Sequence, residues 1–303
     1  MKLIKPSFEI LEQKPGAIGL LQHIERCGRT CYKSEDKITE DSAEKFVDML
    51  VRRGHTAMVE HGTIYLRIPE KSVDGQYVYP AKGKYIAQKY SIANSRLEGV
   101  AQNPYSVFYV TTNYRVLLQN GWLDDLQYLC EPTEYHTKRI TVKFVCDRGV
   151  SHEFVRHRVF SFAQESTRYC NYSKDKFGKE CTFIIPKWCN LSPGTYIYDD
   201  GLGTWTNGDD FTHFNDKLLV SALGSAEYYY NTLLKGKWTA QEARTVLPNS
   251  LKTELIMTGT IEQWEGFFKL RCAKDAHPQA RELAVPLYEE FVKRGYITAR
   301  ISK

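Results

Sequence analysis

Arg156-His157-Arg158-Val159-Phe160-Ser161-Phe162-Ala163-Gln164-Glu165-Ser166-Thr167-Arg168-Tyr169 follows closely on the apolar run Ile140-Thr141-Val142-Lys143-Phe144-Val145-Cys146. Three cationic or proton-carrying groups in succession repel one another unless an anion lies among them. Arginine stays charged, and its planar fork binds phosphate or carboxylate through paired hydrogen bonds. Histidine titrates near neutrality and holds its proton more firmly beside an anion. Ser166 and Arg168 add donors just downstream. The segment reads as an anion cradle, most simply for a phosphorylated small molecule. A nucleic-acid surface and a plain ion-pair network are the alternatives. Phe154-Val155 before the basic run and Val159-Phe160 after it are unusual neighbours for a solvated charge patch.

Outward from this segment, the 303 residues suffice for a sizeable core. A hydrophobic share of 42% and a charged share of 25% are ordinary for a globular chain. The net charge of +5 is mild for a DNA binder and suits a protein that collects anionic substrates. The opening Met1-Lys2-Leu3-Ile4-Lys5-Pro6 lacks the apolar centre of a secretion signal, and no stretch is long enough to span a bilayer, so a cytoplasmic location without membrane contact is expected. The eight cysteines (27, 31, 130, 146, 170, 181, 189 and 272) include no C-x-x-C pair. They read as small buried hydrophobes, and no metal site is expected.

No repeat or low-complexity linker divides the chain, so a single catalytic domain over residues 1–303 is expected. Helices are expected at 17–34, at 42–53 with Asp41 as N-cap and Gly54 as stop, at 149–158, and at 214–235 before Gly236. Thr239 with Glu242 forms a capping box for a helix ending at Pro248. Helices at 261–272 and from Pro278 to Arg294 complete a helical last third. Strands are expected at 61–68, 84–92, 104–111 and 138–147, with helical material at 113–130. Lys187 to Phe214 lacks a sustained period and reads as a surface excursion with a hairpin near Asp200-Gly201. The fold class is α+β: a central, mostly antiparallel sheet with helices at both ends.

The run from Arg156 to Tyr169 closely resembles the signature of flavin-dependent thymidylate synthases, with Ser166 at the interval that family uses and Arg168-Tyr169 after it. Three further segments resemble the family in the right order. They are Gly54-His55-Thr56-Ala57-Met58-Val59-Glu60-His61, Ala243-Arg244-Thr245-Val246-Leu247-Pro248, and Phe268 to Gln279 with Arg271 and His277. The resemblance spans roughly residues 20 to 292, interrupted by expected insertions near 70–130 and 187–213. It departs from the family where Ala163-Gln164 replaces an Asn-Glu pair, and at Thr260, Glu262 and Gly266, where Asn and Arg types are missing. Two extra residues also separate Arg271 from His277.

The resemblance implies conversion of dUMP to dTMP, with methylenetetrahydrofolate as one-carbon donor, NADPH as reductant and FAD as cofactor. It assigns dUMP to Glu153, Phe154, Val155, Arg156, Gln164, Glu165, Ser166, Thr167, Arg168, Arg244 and Arg271. Arg271 is the catalytic group, facing the uracil and favouring ionisation at N3; a helix-end pair with Asp275 is its structural alternative. FAD is assigned to His55, Glu60, Arg156, His157, Arg158, Val159, Gln164 and His277, with helix capping the alternative for His55. His23 and His61 are expected to be structural. A homotetramer with sites shared between subunits is implied. Ser166 is a binding group, since no base is arranged to activate it; attack by a thiol such as Cys170 is the competing chemistry. The alternative of a different class is a non-catalytic nucleic-acid-binding protein that uses the Arg-His-Arg cluster and the many aromatics.

Overall fold

Ile140, Val142, Phe144 and Cys146 alternate with Thr141, Lys143 and Val145, so an extended backbone places all four on one face. A computed structural model describes residues 1–70, 82–99 and 105–299. In chain order its elements begin with β1 (Lys2–Ile4), β2 (Ser7–Leu11), α1 (Gly16–Tyr32), α2 (Ser42–Arg52), β3 (Thr63–Pro69), α3 (Lys82–Ala87), β4 (Ala93–Glu98) and β5 (Tyr105–Asn113). The middle contributes α4 (Tyr114–Asn120), β6 (Arg139–Asp147), α5 (Arg148–Phe154), β7 (Ser161–Gln164), β8 (Thr182–Ile184), β9 (Gly194–Thr195), β10 (Ile197–Asp199) and β11 (Thr204–Thr206). The last third holds α6 (Phe214–Lys235), α7 (Ala240–Ala243), β12 (Lys252–Thr260), α8 (Ile261–Arg271) and α9 (Pro278–Lys293).

The fold is α+β, with antiparallel pairing dominant. The sheet that positions the site has the order β2-β6-β12-β7, every pair antiparallel. Leu255 lies opposite Phe144 and Met257 opposite Val142, which continues the apolar face of β6 across β12. Trp264, Phe267 and Phe268 of α8 and Leu283, Leu287 and Phe291 of α9 cover that face. The other face meets α1, where Cys27 packs with Leu11, Ala163 and Ile256. Burying one such large apolar side chain contributes ~1.5–3 kcal/mol, so these two layers hold the sheet centrally.

β12 corrects the expectation of a wholly helical last third. It is buried along both faces because α8 and α9 lie on one side and α1 on the other, so its pattern lacks a simple two-residue alternation. Gly259 sits under the Phe160 ring, where an added Cβ would come within 2.5 Å of a ring carbon, so only a residue without a side chain lets the signature segment lie down on the strand. Glu254 is buried on the other face, with Lys33, Lys143 and Lys252 at 2.5, 2.5 and 2.6 Å. Burial alone would raise its pKa, but the three ammonium groups outweigh it and hold the carboxyl well below the usual range.

A second sheet, β3-β5-β4, packs with α1 and α2. The strand expected at 84–92 is α3 followed by a turn, because Ile86, Ala87 and Tyr90 fall on one helical side and enter this core. Part of the expected 70–130 insertion lies outside the described residues. The described remainder, including Val110 and Leu117, shares a core with the N-terminal helices. In the third sheet, β8-β1-β9, β1 runs parallel to β8 and antiparallel to β9. The hairpin expected near Asp200-Gly201 is β10–β11, whose Trp205 packs closely over Gly224 of α6. Asp41 occupies the N-cap position of α2, but its side chain makes no capping bond. No helix among the described residues is long and apolar enough to cross a membrane.

Candidate active site

α5 is the element around which the site is organised. The Asp147 carboxylate opens it by accepting from the Val150 amide at 2.7 Å. The helix closes at Phe154, whose ring enters the core against Phe144 and Phe267. Arg156-His157-Arg158 therefore lies in turns after the helix, not on its end as expected: the His157 amide reaches back to the Phe154 carbonyl and the Phe160 amide to that of His157. The anchored Phe154 and Phe160 throw the residues between them outward, leaving Arg156, Arg158 and Val159 exposed.

Arg271, in the last turn of α8, is tied to this segment three times. Its Nη1 donates to Glu153 Oε2 at 2.6 Å, its Nη2 to the Glu153 carbonyl at 2.5 Å, and its Nε to His157 Nε2 at 2.9 Å. Its carboxylate partner is Glu153 and not Asp275. The hydrogen bond and charge of Arg271 hold the Glu153 carboxyl below its usual range. Burial, and then Arg271, push His157 down to about 4. Acceptance at Nε2 requires that nitrogen to be unprotonated, which agrees with a neutral ring.

Residues expected at the substrate divide into those facing the site and those turned inward. Arg244 Nη1 donates to Thr167 Oγ1 at 2.9 Å, and Arg168 Nε donates to Gln241 Oε1 at 3.1 Å. The Ser166 hydroxyl accepts from the Arg168 amide at 3.3 Å. Gln164 spends its amide nitrogen on Ser151 Oγ and Thr253 Oγ1, which ties β7 to α5. The Glu165 carboxylate is buried against Lys252 Nζ at 2.7 Å and the Tyr172 hydroxyl at 3.2 Å. Phe154 is core. Val155 is partly exposed beside Arg156.

Of the residues expected at the flavin, His55 is exposed and its Nδ1 is hydrogen-bonded to the Tyr32 hydroxyl. Tyr32 also packs on Tyr169, with ring centroids 5.6 Å apart, which joins this corner to the signature segment. Glu60 pairs with Arg115, and its carbonyl receives the Arg139 guanidinium. His277 stands at the start of α9 with its ring 6.4 Å from that of Trp188.

Tyr32, Gln241, Arg148 and His152 escaped the sequence reading. Arg148 and His152 are one helical turn apart on α5 and line, with Arg244 and Thr167, a hollow of about 290 Å³. Arg148 Nη1 is buried there without a hydrogen-bond partner. The i, i+4 spacing within a segment already rich in arginine was the available signal. Among the described residues, none of Arg148, Arg156, Arg158, Arg168 and Arg244 is in an ion pair with a carboxylate. Arg148 and Arg244, neither bridged to a carboxylate, share one hollow, and guanidiniums so placed are suited to anions.

The two histidines expected to be structural are so placed. His23 Nε2 meets Thr141 Oγ1 at 3.0 Å and His61 Nδ1 meets Thr258 Oγ1 at 2.7 Å, between α1 and the sheet. Burial lowers them to about 4 and about 3. A histidine whose folded pKa lies below its unfolded value stabilises the fold fully above the unfolded pKa and loses that contribution as pH falls through the folded one. With 6.5 as the unfolded value for His23, His61 and His157, stability is expected to fall from about pH 6.5 towards pH 4. The limiting slope is about 1.4 kcal/mol per pH unit for each titrating histidine. Urea midpoints at pH 7, 5.5 and 4.5 measure this; a midpoint that stays level or rises on acidification contradicts it.

Comparison with known proteins adds a family. The family model described as thymidylate synthase complementing protein matches residues 132–294, more than half of the chain. A flavin-dependent thymidylate synthase of Corynebacterium aurimucosum is 32% identical over 140 residues, covering 46% of this chain and 51% of that one. One from Pyrococcus furiosus is 28% identical over 152 residues, covering 50% and 53%. The chain thus spans about half the length of the curated relatives it matches. A solved structure titled UMP/dUMP methylase PolB from Streptomyces cacaoi, bound with 5-Br UMP, aligns with a TM-score of 0.42 at 15% identity, over 97% of this chain and 92% of that one. His55 and Glu60 lie outside the matched range, whereas the basic segment, Arg244, Arg271 and His277 lie within it. With its signature segment, both distant arginines and over half its length matched, the chain belongs to the thymidylate synthase complementing protein family, that of the flavin-dependent thymidylate synthases.

Proposed function

We propose that this chain is a flavin-dependent thymidylate synthase that methylates dUMP to dTMP, with methylenetetrahydrofolate as one-carbon donor and NADPH as reductant. The observation that carries the reading is the set of guanidiniums without carboxylates, with the buried unpartnered Nη1 of Arg148 among them. A phosphate monoester carries nearly two negative charges at pH 7, and charge-assisted bonds from arginine match it. In this reading Arg244, Arg168 and Ser166 hold the dUMP phosphate, with Arg148 and His152 lining the hollow beside Arg244.

The residues present fit FAD. Exposed Arg156 and Arg158, in no salt bridge, suit its diphosphate, while His55, neutral His157 and His277 offer hydrogen bonds to its ring. When bound, FAD supplies the two-electron reduction that completes the methyl group. The chain supplies position and charge. Arg271, held rigid by Glu153 and His157, sets a fixed cation beside the uracil, favours loss of the N3 proton and so enriches C5 in electrons. The inward-facing carboxylate of Glu165 and ring of Phe154 act by shaping the segment that carries Ser166 and Arg156. The reading extends to a cytoplasmic homotetramer of single-domain subunits that share their sites, with Glu60 positioned through Arg115.

Tritium release from [5-3H]dUMP tests the reaction. Release is expected only when FAD, NADPH and methylenetetrahydrofolate are all present. A colourless protein that releases nothing, and whose affinity for RNA falls steeply with salt, would replace this reading with nucleic-acid binding.

The chain's own thiols have no part in this chemistry. Cys170 is buried, and burial together with the Glu165 charge pushes its thiol up to about 12, so at neutral pH it is not a nucleophile. Cys170→Ala is expected to keep tritium release within about threefold of the parent protein, the scale of a modest packing change. Abolished release with dUMP and FAD still bound would restore thiol attack at C6.

A further inference from the structure

A cavity of about 270 Å³ lies where the start of α1 and the edge of β6 meet β3, and no residue assigned to dUMP or the flavin lines it. Its rim is firmly built. The Gln13 side chain donates to the Thr63 carbonyl at 2.8 Å and accepts from the Thr63 amide at 2.9 Å, which fixes the loop before α1 to β3. Lys14 lies against the helix because position 19 is glycine: an added Cβ there would come within 2.1 Å of the Lys14 carbonyl oxygen.

Gly16, the first residue of α1, lines the cavity. Pro15 before it has no side chain that can cap, and the first turn holds no acidic residue. The Gly16, Ala17 and Ile18 amides have no backbone partner outside the helix. The positive end of a 17-residue helix is thus left without a counter-charge. A second wall adds a guanidinium. Arg139 donates through Nη1 and Nη2 to the Glu60 carbonyl, Thr63 Oγ1 and Ser161 Oγ at 3.2 to 3.3 Å; all three acceptors are uncharged, and none of these bonds uses Nε. Burial pushes its pKa down to about 10, which Tyr65 and Glu60 offset only in part. The Glu60 carboxylate is itself held by Arg115. His23 also lines the cavity; it is buried, and its Nδ1 has no hydrogen-bond partner of good geometry, with the Glu12 carbonyl beside it.

Charge narrows the choice of occupant. Lys14, Lys138 and Arg139 line the cavity together with Glu12 and Glu131. Glu12 is paired with Arg294 at 2.8 Å. The other four are in no ion pair among the described residues. The positive charge left over suits a dianion better than a monoanion, and helix amides beside a guanidinium are the donors a phosphate takes. We infer that this cavity is an anion site of its own, which binds a phosphate dianion, inorganic or carried by a small monoester, between the first amides of α1 and Arg139. The phosphate oxygens accept from the helix amides and from Arg139 Nε, and Lys14 and Lys138 close the rim. It shares no lining residue with the Arg148–Arg244 hollow.

Crystals soaked in selenate, a dianion with an anomalous signal, test the position; a peak is expected beside Gly16 and Arg139. Calorimetry with saturating dUMP present, so that the other hollow is filled, tests binding in solution. Inorganic phosphate or glycerol 3-phosphate is expected to bind, the tighter of the two identifying the source, and acetate about tenfold more weakly. Lys14→Glu, at an exposed position, is expected to weaken phosphate about fivefold and to leave dUMP affinity unchanged. Arg139→Lys keeps the charge without the fork and is expected to weaken phosphate about tenfold. A selenate peak without solution binding is an adventitious ion only and overturns the inference. Equal binding of acetate, or unchanged phosphate affinity in Lys14→Glu, overturns it as well. Failure of dUMP to bind, with phosphate still sensitive to Lys14→Glu, would instead count against the proposed function alone.

Discussion

Arg271→Ala is expected to lower the rate of tritium release by about 100- to 1,000-fold, the range found when a preorganised charge-stabilising donor is removed from an active site. The effect follows from how this guanidinium is held. Three hydrogen bonds to Glu153 and His157 fix its plane, so a cation lies ready at the end of α8 and does not have to be ordered during reaction. Removing it leaves Glu153 without its ion-pair partner and takes away one of the two causes that keep His157 neutral. The main loss is expected in kcat, with dUMP affinity changed less, because the stabilised charge develops on the ring during reaction. Arg271→Lys keeps the charge but cannot make the same three bonds, and is expected to recover only part of the rate. Single-turnover kinetics with dUMP in excess separates the two effects. A rate within threefold of the parent protein would remove Arg271 from the chemistry and leave it as the clamp between α8 and the turn after α5.

Arg244→Ala is expected to weaken dUMP binding by about 10- to 100-fold, because a hydrogen bond to a charged group contributes about 1.5–3 kcal/mol and each 1.4 kcal/mol is a factor of ten. Arg244 is exposed and bonded to Thr167, so the substitution strips no core contact and the protein is expected to fold normally. The discriminating comparison is deoxyuridine. If Arg244 holds the phosphate, its loss leaves the affinity for the nucleoside unaltered, and the penalty appears only with the nucleotide. Equal weakening of both ligands would place Arg244 elsewhere. Raised salt is expected to weaken dUMP binding in the parent protein more than in the variant, since exposed charge pairs are screened.

Elements with one apolar face were legible from residue order. α6, α8 and α9 lie within one residue of their expected bounds, helped by clear start or stop signals such as Gly236 just past α6 and Pro278 at the first turn of α9. β6 was legible from the alternation of Ile140, Val142, Phe144 and Cys146. β12 was not, because a strand covered on both sides needs apolar residues on both sides, and Glu254 within it is tolerable only where Lys33, Lys143 and Lys252 converge. The 84–92 segment was misread for the opposite reason: a six-residue helix is too short for its period to stand out from a strand's.

The same division runs through the site. Residue order marked the Arg156–Tyr169 segment as an anion cradle, because an arginine's charge and fork travel with the residue wherever it is placed, while Arg244 and Arg271 were singled out by the family resemblance. Folding decided which of them are free to act. It turned Phe154 and Glu165 inward, tied Gln164 to Ser151 and Thr253, and bound Arg271 to Glu153 and His157. It also brought Arg148 and His152 beside Arg244, and set Tyr32 between His55 and Tyr169. Those outcomes depend on contacts between residues far apart in the chain, 118 positions for Arg271 and Glu153. Residue type carries charge and donor number; only the packing of distant segments determines whether a charge meets a carboxylate, a core or an open hollow.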